Sequence, residues 1–178
     1  MKEMKEYTIP FVGLKIGQHK YDFNLDKKFF EHFEYDEFHQ ADIKLEVILD
    51  KKPNMLEIAL SFDGSVNVSC DRTNEPFDLP VEGNYHFVVK FGQEQDDLHD
   101  ELLILPHGAY QVNIQQQVYE SIVLALPSKR IHPGIAEGTL KSDVLEQLEA
   151  LKPKGVQQNQ LEDVDPRWDN LKNLLTDK

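Results

Sequence analysis

The chain has 178 residues, of which 40% are hydrophobic, 32 are acidic and 19 are basic, so its formal net charge is −13. This charge disfavours direct contact with RNA, because affinity for the phosphate backbone comes largely from Lys and Arg, and it favours basic partners or solubility alone. The longest apolar run has five residues, too short for a signal peptide or a membrane span, and the single cysteine excludes an internal disulfide. We therefore expect a cytoplasmic protein without membrane contact. The sequence favours no particular oligomeric state.

The N-terminal region predicts a β-hairpin followed by a short helix. Apolar residues alternate from Tyr7 to Ile16 and again from Tyr21 to Leu25, with Gly17-Gln18-His19 between them, which predicts an opening hairpin. Asp26 can cap a short helix that follows it. The apolar face of this helix carries Phe29, Phe30 and Phe33.

Period-two alternation is clearest between residues 43 and 91. Apolar residues alternate with polar ones over 43–49, 56–62, 66–70, 77–81 and 85–91. Turns are predicted at Lys51-Lys52-Pro53-Asn54, at Asp63-Gly64 and at Glu82-Gly83-Asn84. Such alternation buries one face of a sheet and leaves the other exposed to solvent, which is typical of antiparallel strands. The predicted fold is α+β, with a twisted antiparallel β meander or a partly closed barrel.

The remainder of the chain predicts a loop, a strand, a helix and a tail. The acid-rich stretch between Gly92 and Glu101 predicts a solvated loop, and a short strand runs from Leu102 to Leu105. A helix that packs across the sheet is predicted to begin at Asn113, with Gln116 completing a capping box, and to stop at Pro127. The predicted domains are a β-rich core over 1–132, a flexible polar linker over 133–164 with at most a short helix at 144–151, and a C-terminal amphipathic helix over 165–178.

The C-terminal helix needs a surface on which to dock. Asp165 can cap it and Pro166 suits its first position, and the apolar stripe includes Trp168, Leu171 and Leu174. So short a helix is unstable in isolation. It docks either on its own domain or on a partner, and we favour a partner because the polar linker gives it reach.

Three motifs resemble those of the YceD-like family, the large-ribosomal-RNA-subunit accumulation proteins. They are Cys70-Asp71-Arg72-Thr73-Asn74-Glu75-Pro76-Phe77, Ile122-Val123-Leu124-Ala125-Leu126-Pro127, and Asp165-Pro166-Arg167-Trp168 followed by Leu171 and Leu174. The resemblance covers roughly residues 65 to 178. It implies a non-enzymatic factor in ribosome biogenesis, needed for accumulation of large-subunit rRNA and acting through a protein or ribosomal-particle partner.

The first and third motifs supply the candidate partner-binding residues. Arg72 offers a planar set of donors suited to phosphate or carboxylate, and the alternative is a salt bridge to Asp71 or Asp78. The candidates are Cys70, Arg72, Thr73, Glu75, Pro76, Phe77, Arg167, Trp168 and Leu171.

The resemblance also raises the question of zinc. Many family members resemble zinc proteins with a Cys-x-x-Cys turn and a second cysteine pair, whereas here Thr73 stands in the second position and no further cysteine follows. Cys70 and His132, with His107 or His86, would make only an incomplete set. We expect no metal and no other cofactor, a buried Cys70, and a turn held by hydrogen bonds of Thr73 and Asn74.

Two alternatives to a protein-binding factor remain. One is a direct RNA-binding module using Lys129, Arg130 and His132 with Lys152 and Lys154, and the other is a metal-binding structural domain. The sequence contains no nucleophile elbow, phosphate-binding glycine loop or metalloprotease helix motif. The acidic cluster around His32 and His39 is interpreted as a solvated surface. We therefore predict that the protein is not an enzyme.

Overall fold

A computed structural model of the chain describes residues 4–92 and 101–151. The strands in this part are β1 (Thr8–Pro10), β2 (Gly17–Asp26), β3 (Gln40–Lys51), β4 (Met55–Ser69), β5 (Pro76–Phe91), β6 (Leu102–Leu105) and β7 (Gln111–Asn113). The α-helices are α1 (Lys27–Glu31), α2 (Gln115–Ala125), α3 (Pro133–Ala136) and α4 (Asp143–Leu151). A single 3-10 turn, Lys5–Tyr7, precedes β1. None of the helices described is both long and apolar enough to cross a membrane.

Strands β2 to β6 form one five-stranded sheet in chain order, and β1 pairs with β7 in a second, small antiparallel sheet. The α+β prediction is confirmed, and the meander from β2 to β5 is antiparallel throughout. Strand β6 is parallel to β5, so the sheet is mixed, and the described strands form no closed barrel. The four residues of β6 are all half-buried, so they lack the alternation that would have indicated its direction.

The predicted opening hairpin is wrong. Strand β1 pairs with β7, placing Ile9 opposite Val112, whereas β2 pairs with β3 along its whole length. Alternation shows which face of a strand is buried, but it does not name the neighbouring strand. The loop between β1 and β2 is held by Lys51, whose Nζ donates to the carbonyl oxygens of Phe11 and Leu14, each at 2.8 Å.

The turns predicted at Asp63-Gly64 and Glu82-Gly83-Asn84 are also wrong, because β4 and β5 run through both sites. The turn between β3 and β4 is where the sequence predicts it. A Cβ atom on Gly64 would lie 2.2 Å from the carbonyl oxygen of Asp42, and one on Gly83 would lie 2.6 Å from the Phe62 ring. These glycines therefore permit close approach within the sheet and do not reverse the chain.

Helix α1 is confirmed, but it ends at Glu31, so Phe33, which was predicted on its apolar face, lies in the turn that follows. Its cap is the predicted one, because Asp26 Oδ1 accepts from the backbone N–H of Lys28 at 3.0 Å. Helix α2 ends before Pro127 as predicted but begins at Gln115, since Asn113 belongs to β7. Asn113 Oδ1 still accepts from the backbone N–H of Gln115 at 3.0 Å. The other half of the capping box is wrong, because the Gln116 side chain donates to Glu120 instead.

The core lies between one face of the large sheet and the elements that pack on that face, which are α1, α2 and the small β1–β7 sheet. Alternate residues of β3 and β4 enter it, and α1, α2 and the small sheet contribute further apolar side chains. Phe29 and Phe30 of α1 are fully buried, and Phe33 stacks on the Tyr119 ring of α2 with their centroids 4.2 Å apart.

The chain divides into two compact units, one up to Leu140 and one from Lys141 onwards. The first includes α3, in which Gly134 is buried, and the described part of the second includes α4. Helix α4 coincides with the short helix predicted at 144–151. The predicted acidic loop over 93–100, and the rest of the linker with the C-terminal helix over 152–178, lie outside the described residues.

Candidate partner-binding site

The residues between β4 and β5 form a closed turn, which we call the 70–75 turn. The last strand pair before it is Ser69 with Pro76. The backbone N–H of Cys70 donates to the carbonyl of Glu75 at 2.9 Å, and that of Asn74 donates to the carbonyl of Cys70 at 2.8 Å. Asn74 has a φ of 59°, a left-handed conformation that Asn tolerates better than most residues. The turn is thus closed by its own backbone.

The sulfur of Cys70 lies at the centre of this turn and is buried. The backbone N–H of His132, from the segment after α2, donates to Sγ at 3.3 Å. Burial alone raises the pKa of the Cys70 thiol, but hydrogen bonds from the Thr73 side chain and from backbone N–H groups leave that pKa below its ordinary value. Thr73 also accepts from the N–H of Glu75 at 3.4 Å. Hydrogen bonds therefore connect the sulfur to the turn and to the post-α2 segment.

Arg130 joins the turn to two other segments. Its carbonyl accepts from the backbone N–H of Asp71 at 2.8 Å, and its own backbone N–H donates to Asp71 Oδ2 at 2.6 Å. Its guanidinium donates through Nη1 to Glu37 Oε2 at 2.5 Å. This hydrogen bond lowers the pKa of Glu37 and raises that of Arg130. We call the Glu37–Asp71–Arg130 set the clamp.

Arg72 stands outside this network. It is exposed, and its guanidinium forms no ion pair or hydrogen bond with any residue that the structure describes. The alternative salt bridges are wrong, because Asp71 belongs to the clamp and Asp78 accepts from the Asn67 amide at 2.6 Å. A cleft of about 420 Å³ opens beside Arg72. Its lining also includes Asp36, Glu37, His39, Ser69, Cys70, Asp71, Asn74 and Arg130.

The other candidates divide by exposure. Cys70, Thr73 and Phe77 are buried, and the Phe77 ring lies 5.4 Å from that of His132, so these three support the turn. Pro76 is exposed and Glu75 is half-buried, so they share the turn's surface with Arg72. The remaining candidates, Arg167, Trp168 and Leu171, lie outside the described residues.

The clamp was not predicted from the sequence. Arg130 is 93 residues from Glu37 and 59 from Asp71, and no local pattern indicates such pairs. The sequence had suggested Arg130 as an RNA contact, whereas its guanidinium is engaged by two carboxylates. In the acidic cluster near α1, His39 Nε2 lies 2.9 Å from Ser69 Oγ.

The residues around Cys70 do not fit a structural zinc ion. A closed site needs four ligands, and the sulfur is surrounded instead by hydrogen-bond donors from the turn and from His132. The ring atom Nδ1 of His132 accepts from the N–H of Gly134 at 2.9 Å, where it caps α3. Across 4–92 and 101–151, no three His, Cys, Asp or Glu side chains are grouped so that they could hold a metal.

Fold and site together define a class of protein: an α+β domain with an exposed turn that is held by hydrogen bonds to the buried Cys70 sulfur and by the ion pairs of the clamp. The chain belongs to the YceD family, because the family model described as "Large ribosomal RNA subunit accumulation protein YceD" matches residues 58–175. The suspected family is thereby confirmed. No curated protein and no solved structure matches the chain.

The family match has a structural meaning. It begins within β4 and includes the 70–75 turn, β5, α2 and the segment with Arg130 and His132. Of the clamp, only Glu37 precedes it. The family's description connects the chain with accumulation of large-subunit ribosomal RNA and names no enzymatic activity.

Proposed function

We propose that this protein is a non-enzymatic factor for accumulation of large-subunit ribosomal RNA, and that it binds a protein or ribonucleoprotein partner through the surface of the 70–75 turn. The observation that carries the proposal is the exposed guanidinium of Arg72, which has no partner among the described residues, on a turn closed by its own backbone hydrogen bonds. A guanidinium held on a rigid turn loses little freedom on binding a carboxylate or phosphate.

The family region supports this choice of surface. Within the matched residues 58–175, the 70–75 turn and the segment after α2 meet through Asp71, Arg130 and His132. Their contacts bury the sulfur and engage Arg130, while Arg72 stays exposed. The packing therefore orients one cation outward.

The same site argues against broad RNA binding as the primary activity. The lining of the cleft beside Arg72 includes the carboxylates of Asp36, Glu37 and Asp71 against the guanidinium groups of Arg72 and Arg130, so its net charge is negative and opposes a phosphate backbone. Arg130 adds no free positive charge because it is paired. A partner that offers one carboxylate or one phosphate group fits this arrangement better than a nucleic-acid duplex does.

The test is co-purification of partners with the full chain from cell extract, with and without nuclease, for the wild type and Arg72→Ala. We expect capture by the variant to fall about tenfold, since charged hydrogen bonds contribute about 1.5 to 3 kcal/mol. Lys15→Ala is the control, because Lys15 is exposed and its side chain is also unpaired within the described residues. Equal capture by the wild type and Arg72→Ala would reject the turn as the binding surface.

The nuclease arm separates the partner classes. A partner that survives nuclease is a protein, and loss of every partner after nuclease would instead support direct RNA contact, with affinity that falls steeply as salt rises.

Two further proposals have their own measurements. We expect metal analysis of the purified chain to find no zinc. We also expect deletion of residues 163–178, which include Arg167, Trp168 and Leu171, to reduce partner capture while the melting temperature stays nearly unchanged.

A further inference from the structure

One face of the five-stranded sheet is uncovered in the described structure. In β2, β3 and β5 the even-numbered residues point away from the core, and in β4 the odd-numbered residues do. Every one of these side chains is exposed or half-buried, whereas most of their neighbours along β3 and β4 are buried. We call this outward surface of β2 to β5 the open face. An uncovered face is common in antiparallel sheets, so openness alone implies no ligand.

The charge of the open face is the first unusual feature. It carries two carboxylates from β2, three from β3, two from β4 and two from β5, against one lysine from each of β2, β3 and β5. Lys20 bridges Asp22 and Glu46. By contrast, Asp63 and Glu82 form no ion pair with any described residue. The face is therefore strongly acidic even after its own ion pairs are formed.

The register of the strands is the second unusual feature. Four pairs of directly opposite residues on the open face are both acidic: Asp22 with Glu46, Asp26 with Asp42, Asp50 with Glu57, and Asp63 with Glu82. Lys20 bridges the first pair, Asp26 of the second caps α1, and Glu57 of the third is paired with Lys52. In the described residues neither carboxylate of the fourth pair, Asp63 with Glu82, has such a partner. Like charges directly opposite each other destabilise a sheet, so folding stability gives no reason for this fourth pair. A positively charged ligand lying across the strands would relieve the repulsion of this fourth pair.

The shape of the face fits an extended ligand. Two shallow depressions of about 470 and 380 Å³ adjoin, because Glu46 and Ser61 line both. The first also includes Asp22, Asp63 and one lysine, Lys44, and the second includes Ala59 and His86. The small side chains of Ala59 and Ser61 leave room at the centre, so the two depressions form one acidic groove that crosses the strands.

We propose that the open face binds an extended Lys- or Arg-rich segment of a protein partner. This inference deepens the proposed function and rests on it, since it assigns a second contact and a basic chemistry to the partner. The cationic side chains bind the carboxylates at the rim, and the half-buried Ile48 and Ala59 receive an aliphatic one. Nucleic acid is excluded from this face because its phosphates would add to the repulsion between the acidic pairs.

The test uses a labelled peptide of alternating Lys and Thr with a central Leu, titrated with the full chain and followed by fluorescence anisotropy. The variant is Asp63→Asn with Glu82→Gln, which neutralises one opposed pair. The control is Glu120→Gln with Glu137→Gln, two exposed carboxylates away from the sheet that remove the same charge. We expect the variant to bind the peptide at least about threefold more weakly and the control to match the wild type.

A stability measurement distinguishes binding from a structural role. Removing one opposed pair relieves repulsion, so the variant should unfold at the same or a higher urea concentration than the wild type. Weaker peptide binding with unchanged or increased stability supports the proposal. Equal loss of binding in the variant and the control would overturn it, as would a failure of the wild type to bind the peptide.

The outcome is also separable from that of the proposed function. If Arg72→Ala abolishes partner capture while the open-face variant captures normally, only the present inference fails. If the peptide binds the open face but Arg72→Ala captures partners normally, the turn surface is rejected and the open face stands. A labelled RNA oligonucleotide that binds the wild type more tightly than the peptide would overturn the choice of partner class.

Discussion

The two faces of the large sheet use the same strands for opposite purposes. On β3, Leu45 and Val47 are fully buried, whereas Glu46, between them, belongs to the open face. The inner face stabilises the fold by removing apolar surface from water. The outer face keeps like charges opposite each other at a cost in stability. The comparison teaches that neighbouring residues of one strand serve stability and binding separately. Two predictions test this comparison, and a third concerns the clamp, which lies outside both faces.

The largest expected effect is on the inner face. Leu45→Ala should lower the free energy of unfolding by about 2 to 5 kcal/mol, because it removes buried methyl groups and leaves a cavity. Its neighbour Glu46→Ala should change that free energy by no more than about 0.5 kcal/mol, because Glu46 is a half-buried residue outside the core and its ion pair with Lys20 is partly exposed. Urea denaturation of both variants measures the difference. Similar costs for the two substitutions would show that the faces are not distinct.

An intermediate effect is expected where two strands approach most closely. Gly64→Ala should destabilise the fold by about 1 to 3 kcal/mol, since its Cβ would overlap the backbone carbonyl of Asp42 and the strands must separate. Gly13→Ala is the matched control, because no atom lies within 4 Å of a Cβ built there. Thermal unfolding of the two variants provides the comparison, and a Gly64→Ala protein as stable as the control would contradict the described register.

The smallest effect concerns the clamp, which belongs to neither face. Arg130 lowers the pKa of Glu37 in the folded state, so the pair stabilises the fold above the ordinary Glu pKa, and this contribution is lost as pH falls through the lowered value. Glu37→Gln should therefore melt below the wild type at neutral pH and converge with it in acid. The shift is small because half of the Glu37 side chain is exposed. A gap that persists unchanged at about pH 3 would exclude the ion pair as its source.

Much of the fold could be predicted because its signals are local. Alternation along β3 and β4 shows which side chains face the core, and Asp26 before an apolar pair predicts the start of α1. The neighbours of each strand could not be predicted in the same way. Gly64 resembles a turn residue in the sequence, yet only the opposing backbone of β3 explains its presence.

The same distinction between local and long-range information applies to the candidate site. The 70–75 turn and its family resemblance are readable from consecutive residues, and so is the guanidinium of Arg72 as a candidate for binding. Whether that guanidinium is free depends on the partners of Asp71 and Asp78, which are Arg130 and Asn67.

The sequence by itself determined the alternating faces, the α+β class and the family, because each follows from short runs of consecutive residues and, for the family, from the order of three such runs along the chain. Only the tertiary structure decided that β1 pairs with β7, that Arg130 meets Glu37, and that acidic residues lie opposite each other on one face. These are relations between distant segments. They are set by packing and strand register, and a local sequence pattern does not specify either one.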